Sequence, residues 1–230
     1  MKIISVDGSS SSTAVILRAY NYLVTQKRKW IASGGRDGAN VVATNSSFGV
    51  DRARCDSADF RPWNEIYELM GSEGILSATA TANQAWDIDA IGDVPTGCAS
   101  QYLVTVTNTD RNDRLFVSPQ AGGGGAGWGA QTIDLGAPGT DIISLLPSSQ
   151  TGAMTGTSMA TPHVAGAIAY LHSRASVRLQ SLINQDPAAG AREIKRLLLE
   201  GTDPIPSLQG RTVSGGRLNL ERSARLAAEY

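Results

Sequence analysis

The segment GTSMATPHVAGA, residues 156–167, decides the fold of this chain. Gly156 and Thr157 are small turn residues in front of Ser158, and an apolar helical pattern follows to about Leu171. The first turn of a helix has free backbone N–H groups and a positive potential, which can stabilise an oxyanion beside a serine hydroxyl. An isolated serine at such a position is more commonly a helix cap. The segment therefore raises the question of whether Ser158 is a nucleophile.

The composition is that of an ordinary globular domain. The 230 residues, of which 41% are hydrophobic and 18% charged, suffice for one domain with a sizeable core. The formal net charge is -1 and no basic stripe stands out, so we expect no nucleic-acid partner. No apolar run approaches the length of a membrane span, and the first residues, MKIISVDGSSSS, lack the apolar stretch of a signal peptide.

Strand-like and helical patterns alternate along the chain. Helices are predicted over residues 12–29 and 61–74, after Ser158, and around 191–200 and 220–229; strands are predicted over 3–6, 40–49, 75–82 and 102–108, with two more inside 132–146. Residues 120–129 are a glycine-rich loop. This alternation predicts an α/β fold with a mostly parallel sheet and helices on both faces. Neither a repeat nor a dividing linker is evident.

Several segments resemble, in the same order, those of the subtilisin-like serine proteases (subtilases, peptidase S8). Residues 156–167 are similar to the family's nucleophile motif, and the other similar segments are VDGSSSSTAVILRAYNYL (6–23), NVVATNSSFG (40–49), ATATANQAWDID (78–89), AGWGAQTIDLGAPGTDIIS (126–144) and GGRLNLERSARL (215–226). The resemblance runs from about Ile3 to Leu226. It implies that residues 1–230 are a partial subtilisin-like peptidase domain, the C-terminal portion, without the N-terminal strands.

The resemblance implies roles for six residues in a serine endopeptidase site. Ser158 is the nucleophile, and Asn83 is the side-chain donor of the oxyanion hole beside the backbone N–H of Ser158. The strand that pairs with an extended peptide substrate, and the wall of the S1 pocket, are formed by Ser47, Phe48, Gly49 and Ala82. Ala82 stands where the family has glycine and Phe48 where it usually has leucine. The bulk of Phe48 and the lack of nearby carboxylates predict an apolar P1 residue.

A base for Ser158 is not evident in the sequence. The chain has two histidines, His163 and His172. His163 follows Ser158 by about 500° of helical rotation, so it points elsewhere, and we expect it to be a buried, hydrogen-bonded histidine. His172 lies near the helix end, where a cation suits the helix dipole. The family's H-G-T-H-V-A-G and D-[ST]-G blocks do not occur, and Asp7 is predicted to be a turn residue.

We therefore expect this chain alone to be nearly inert as a peptidase, needing a missing N-terminal half or self-association. An alternative is a non-catalytic peptide-binding or assembly protein built on the truncated protease fold. A hydrolase elbow of the G-x-S-x-G type is disfavoured, because Ala160 replaces the second glycine and both histidines follow Ser158 too closely.

The sequence also bears on disulfide bonding, cofactors and the location of the protein. Cys55 and Cys98 are either free thiols or a disulfide, and a disulfide would imply an oxidising compartment. No cofactor and no metal ligand set is predicted; structural calcium is common in the resembled family, but no site is identified. The resemblance implies a secreted or periplasmic protein that acts on peptides or proteins.

Overall fold

The computed structural model describes residues 13–120 and 124–230. The helices are α1 (Thr13–Ala32), α2 (Arg61–Ser72), α3 (Ile88–Ile91), α4 (Thr157–Arg174), α5 (Val177–Gln185), α6 (Pro187–Glu200) and α7 (Leu220–Glu229). The strands are β1 (Ala43–Ser46), β2 (Val50–Asp51), β3 (Leu76–Ala80), β4 (Asp93–Val94), β5 (Leu103–Thr109), β6 (Leu135–Pro138), β7 (Ile142–Leu146), β8 (Gln150–Met154), β9 (Asp203–Pro204) and β10 (Gly216–Arg217). The predicted strand at 3–6 and the turn at Asp7 lie outside the described residues.

Within the described residues, six strands form the central sheet in the order β1-β3-β5-β6-β10-β9. Every pairing is parallel except β10 with β9. Strands β3 and β5 are buried along their whole length, as central strands of a parallel sheet are when both faces are covered. The predicted α/β fold with a mostly parallel sheet flanked by helices is confirmed.

Helix α4 is the element that fixes the site on this sheet. It packs against β1, β3, β5 and β6, and its apolar face carries Val164, Ile168 and Leu171, which are fully buried. Burial of each such side chain stabilises the fold by about 1.5–3 kcal/mol. A second core cluster joins α1 and α2 around Trp63 and Tyr67. None of the described helices is both long and apolar enough to cross a membrane.

Cys55 and Cys98 are joined by a disulfide. Their Cα atoms are 5.1 Å apart, within the usual range for a bridge. The bond connects the loop before α2 with the loop after β4. In the chain-entropy model a loop of this size stabilises the fold by about 4 kcal/mol. Of the two possibilities that the sequence left open, the structure has the disulfide.

Two helical glycines offer a test of the core packing. A Cβ on Gly71 of α2 would overlap the Tyr102 ring, whereas a Cβ on Gly166 of α4 would meet nothing within 4 Å. We expect Gly71→Ala to lower the free energy of unfolding by about 1–3 kcal/mol, and Gly166→Ala to raise it by about 0.5–1 kcal/mol. Urea denaturation followed by circular dichroism measures both, and equal effects would contradict the packing of α2 on Tyr102.

Candidate active site

Ser158 lies at the N-terminal end of α4, which begins at Thr157. Gly156 precedes the helix, no side chain caps it from within its own segment, and its first turn has no acidic residue. Ser158 lies half-buried in that first turn. The N–H of Ser158 has no acceptor inside the helix, so it is available to a developing oxyanion.

Asn83 lies against this helix end, in the loop after β3. Its Oδ1 accepts a hydrogen bond from the backbone N–H of Thr157 at 3.0 Å. Thr157 Oγ1 lies 3.1 Å from the same oxygen, but it donates its one proton at 2.6 Å to the carbonyl oxygen of Thr81. Because Oδ1 faces Thr157, Nδ2 of Asn83 faces away from it, and no acceptor in the described part of the chain bonds this nitrogen. An oxyanion-hole donor needs such an unused N–H.

The hydroxyl of Ser158 is held by Ser47. Ser158 Oγ donates to the Ser47 carbonyl oxygen at 3.2 Å, and Ser47 Oγ donates to the Ser158 carbonyl oxygen at 2.9 Å. The two reciprocal bonds fix the segment after β1 against α4. A carbonyl oxygen is not a base, so this arrangement positions the hydroxyl without activating it.

The remaining predicted residues surround the same space. Ser47, Phe48, Gly49, Ala82, Asn83 and Ser158 all line one cavity of about 250 Å³, which we name the Ser158 cavity. The Phe48 ring packs edge-on against Trp63, with centroids 6.2 Å apart. Gly49 passes so close to Val94 that an added Cβ would lie 2.6 Å from its carbonyl oxygen. The structure thus brings the six residues together, while their individual roles stay predictions.

Two carboxylates also line the Ser158 cavity. Strand β2 pairs antiparallel with β4, which places Asp51 opposite Asp93. Asp51 is exposed and Asp93 is only 1% exposed, and among the described residues that line the cavity there is no Lys, Arg or His. The expectation that carboxylates are absent from the pocket, on which an apolar P1 residue depended, is wrong. A strand pairing between distant segments brings the aspartates together.

Only one of the two carboxylate oxygens of Asp93 accepts a hydrogen bond from the described residues. The Thr96 hydroxyl donates to Asp93 Oδ2, whereas Oδ1 is buried and has no hydrogen-bond partner among the described residues. Burial raises the pKa of Asp93 to about 7. The Thr96 hydrogen bond lowers this pKa and the charge of Asp51 raises it. The backbone N–H groups of Ala82 and Val94, which approach the carboxyl group outside normal hydrogen-bond geometry, lower it more weakly.

Neither histidine lines the Ser158 cavity. His163 is exposed, and its Nδ1 lies 2.9 Å from the Met159 carbonyl oxygen. The predicted hydrogen bond is present but the predicted burial is wrong, because no described element covers this face of α4. Burial, aided by the charge of Lys27, lowers the pKa of His172 to about 4. His172 is therefore neutral near pH 7, and its interpretation as a cation at the helix end is wrong.

Metal ligands are not clustered in the described ranges, 13–120 and 124–230. No group of three or more His, Cys, Asp or Glu side chains there could hold an ion. Structural calcium therefore stays a prediction without a site.

Comparison with known proteins identifies the family. The sequence description of the subtilase family, peptidase S8, matches residues 1–208. The chain belongs to the subtilase family. Alkaline protease 1 of Emericella nidulans is 32% identical to it over 205 residues, which are 88% of this chain and 42% of that protein. The alkaline extracellular protease of Yarrowia lipolytica is 41% identical over 109 residues, 46% of this chain and 23% of that protein.

A solved structure agrees with the subtilase fold. The A-subunit of the AB5 toxin from E. coli is similar with a TM-score of 0.71 and 25% identity, covering 96% of this chain and 69% of that chain. The subtilase described here spans less than half the length of the two curated relatives, 42% and 23%. The family is one of serine peptidases, so the predicted recognition and enzyme class are confirmed at that level.

Three residues of this subtilase site, Thr157, Asp51 and Asp93, were not found from the sequence. Thr157 orients Asn83 through its N–H, and its position between Gly156 and Ser158 was the available signal. Asp51 and Asp93 have no such signal, since only the pairing of β2 with β4 brings them together beside Gly49 and Ser158.

Proposed function

We propose that this chain contributes the nucleophile, the oxyanion hole and the substrate strand of a serine endopeptidase. The observation that supports this most directly is the convergence of Ser158, Asn83 and the Ser47–Gly49 segment on one cavity at the N-terminus of α4. An extended peptide lying along Ser47–Gly49 would place its scissile carbonyl beside Ser158 Oγ. Addition of an extended peptide to a strand edge is a general mode of peptide recognition.

In the proposed reaction, Ser158 Oγ bonds to the carbonyl carbon and its proton passes to a base. The oxyanion accepts hydrogen bonds from Asn83 Nδ2 and the Ser158 N–H. Breakage of the C–N bond releases the amine, which takes the proton from the base, and leaves an acyl group on Ser158. Water, deprotonated by the same base, then releases the acid and restores the hydroxyl.

We propose that a histidine from a further segment supplies the base, because neither histidine of the described residues reaches the Ser158 cavity. Of the two histidines, His163 is exposed and bonded to Met159, and neither lines the Ser158 cavity. Ser158 Oγ is directed to the Ser47 carbonyl oxygen instead. We therefore propose that the chain by itself is nearly inert and that a segment with the family's Asp and His blocks completes the site.

The test uses a fluorophosphonate probe and intact-mass measurement on two proteins. One is this chain; the other is a chimaera in which an N-terminal segment of a family member, carrying the D-[ST]-G and H-G-T-H blocks, precedes it. We expect the folded chain to stay almost unlabelled and the chimaera to acquire one adduct, located on Ser158 by peptide mapping. The base supplied in the chimaera is the reason for the difference.

Matched serine variants make this result specific. Ser158→Ala should abolish labelling of the chimaera, whereas Ser173→Ala, which alters an exposed hydroxyl bonded to the Tyr170 carbonyl oxygen, should leave it unchanged. A folded chimaera without an adduct, or with the adduct on another serine, would contradict the proposed nucleophile.

A non-catalytic peptide-binding function is the second candidate. The observation in its favour is that the Ser158 hydroxyl bonds to the Ser47 carbonyl oxygen rather than to a base. This function requires an extended peptide to bind the chain as tightly in Ser158→Ala as in the wild type, with no turnover in the chimaera. Turnover that depends on Ser158 would exclude it.

The partners and the location of the protein are further proposals. The hairpin β7–β8 exposes Ile143 by 77% and Leu145 by 81%, a surface that a further segment or a second copy could cover. We propose export to a secreted or periplasmic location, supported by the disulfide and by the extracellular relative from Yarrowia lipolytica. Gel filtration of the chain and the chimaera shows whether either self-associates.

A further inference from the structure

The Ser158 cavity contains a buried carboxylate oxygen without a partner. Buried polar atoms are almost always hydrogen-bonded, so each exception needs an explanation. Asp93 Oδ1 lies next to Gly49, since a Cβ added to Gly49 would be 3.6 Å from it. Because Thr96 bonds Oδ2, the carboxyl group is anchored at one oxygen, and the other, Oδ1, has no well-formed hydrogen bond from the described residues.

The charges around the cavity favour a cation. Asp51 lies at the exposed side and Asp93 at the buried side, while the other lining residues in the described part of the chain are neutral. The nearby Arg52 is directed elsewhere, with its guanidinium over the Trp86 ring at 4.6 Å from the centroid. An apolar guest would leave the ionised form of Asp93 buried without a counter-charge, which is costly. A cationic guest would instead form a charge-assisted hydrogen bond with Oδ1.

The size of the cavity fits a side chain rather than a whole ligand. Its volume, about 250 Å³, lies below the range of about 300–1,000 Å³ that pockets for complete small molecules occupy. Ser158 and Asn83 lie in the same wall. The guest is therefore the side chain next to the bond that the proposed reaction cleaves.

We propose that the Ser158 cavity binds the cationic side chain of a Lys or Arg at P1, with Asp93 as the buried counter-charge and Asp51 at the exposed edge. This inference rests on the proposed function, because it names the substrate class of the same site. It replaces the apolar P1 residue that the sequence predicted.

The test is binding of benzamidine, a small aromatic cation, to the 230-residue chain, followed by ¹⁵N-NMR shifts. Benzamide, which is uncharged and of similar shape, is the comparison ligand. We expect benzamidine to shift the amides of Gly49 and Thr96 and to bind at least about tenfold more tightly than benzamide. Asp93→Asn should remove this preference, and Asp51→Asn should weaken it by a smaller factor.

Asp59→Asn is the matched control, because Asp59 is exposed and is not among the residues that line the cavity. It should bind benzamidine as the wild type does. Equal binding of the two ligands, an unaltered preference in folded Asp93→Asn, or no saturable benzamidine binding would each overturn the proposal. If Asp93→Asn does not fold, Asp51→Asn decides, since an exposed side chain can be changed without disturbing the core.

The two proposals fail separately in these experiments. Benzamidine binding needs no nucleophile and no base. A chimaera that is not labelled at Ser158 would therefore contradict the proposed nucleophile but not the proposed cation site. Conversely, a chimaera that is labelled at Ser158 but prefers a P1 phenylalanine phosphonate over a P1 arginine phosphonate would overturn the cation site alone.

Discussion

Replacement of Ser158 by alanine in the base-supplying chimaera should lower kcat for peptide hydrolysis by about 10⁶-fold. In subtilisin, removal of the nucleophilic serine alone has an effect of about 2 × 10⁶-fold on kcat. The decrease in kcat is expected to be this large because without Ser158 Oγ no acyl-enzyme forms and the base has no hydroxyl to deprotonate. The assay is the release of a chromogenic amine from a peptide with arginine at P1, measured at saturating substrate.

The residual rate of this variant is as informative as the loss. The Ser158 N–H and Asn83 remain, so the variant should still exceed the uncatalysed reaction in water by about 10³ to 10⁴-fold. KM should change little, because the Ser47–Gly49 segment and the cavity are intact. A variant that keeps most of the wild-type kcat would show that another group attacks the peptide, and the convergence of residues at α4 would then need a different explanation.

The fold was predictable from the sequence because its main elements have local signals. The apolar spacing of α1 and the continuous burial of β5 are encoded in short windows. Helix α5 and strand β8 were not predicted. β8 depends on its antiparallel pairing with β7 and is largely exposed, so its own residues have little hydrophobic pattern.

Site residues that lie in a sequence motif could be predicted, whereas those brought to the site by strand pairing could not. Ser158, Asn83 and Gly49 lie in segments with recognisable patterns, and the structure places them together. Asp93 follows Gly92 in an undistinguished turn sequence, and only its pairing with Asp51 brings it to the cavity. The neutral state of His172 and the exposure of His163 have no local signal either, since burial depends on which elements cover a helix face.

Asp93 should make the stability of the chain decrease as the pH rises. The ordinary pKa of an aspartate is 3.8, and burial is the main reason that the pKa of Asp93 is raised to about 7 in the folded protein. The folded state therefore binds the proton more tightly than the unfolded state. The stabilisation is complete below pH 3.8 and is lost as the pH rises through about 7. A shift of about three pKa units corresponds to about 4 kcal/mol at most.

Asp93→Asn isolates this effect, because asparagine resembles the protonated acid in shape and does not titrate. At pH 8 the variant should be more stable than the wild type by up to about 4 kcal/mol, and at pH 4 the two should differ little. Urea denaturation between pH 4 and pH 8 measures the difference in unfolding free energy between the variant and the wild type. The other titrating groups contribute equally to both proteins, so their effects cancel in this difference. Asp59→Asn should follow the wild type throughout. A difference between Asp93→Asn and wild type that does not vary with pH would show that Asp93 does not titrate in this range.

The same measurement connects the stability of the chain with its proposed specificity. Above about pH 7 the wild type holds an ionised Asp93 next to another anion, Asp51, and no described residue of the cavity wall is a cation. Bound benzamidine supplies the missing cation, so it should recover stability in the wild type at pH 8 and little in Asp93→Asn. At pH 4 Asp93 is protonated and the ligand should stabilise both proteins weakly. If benzamidine stabilised the wild type equally at both pH values, the cation would be binding elsewhere than at Asp93.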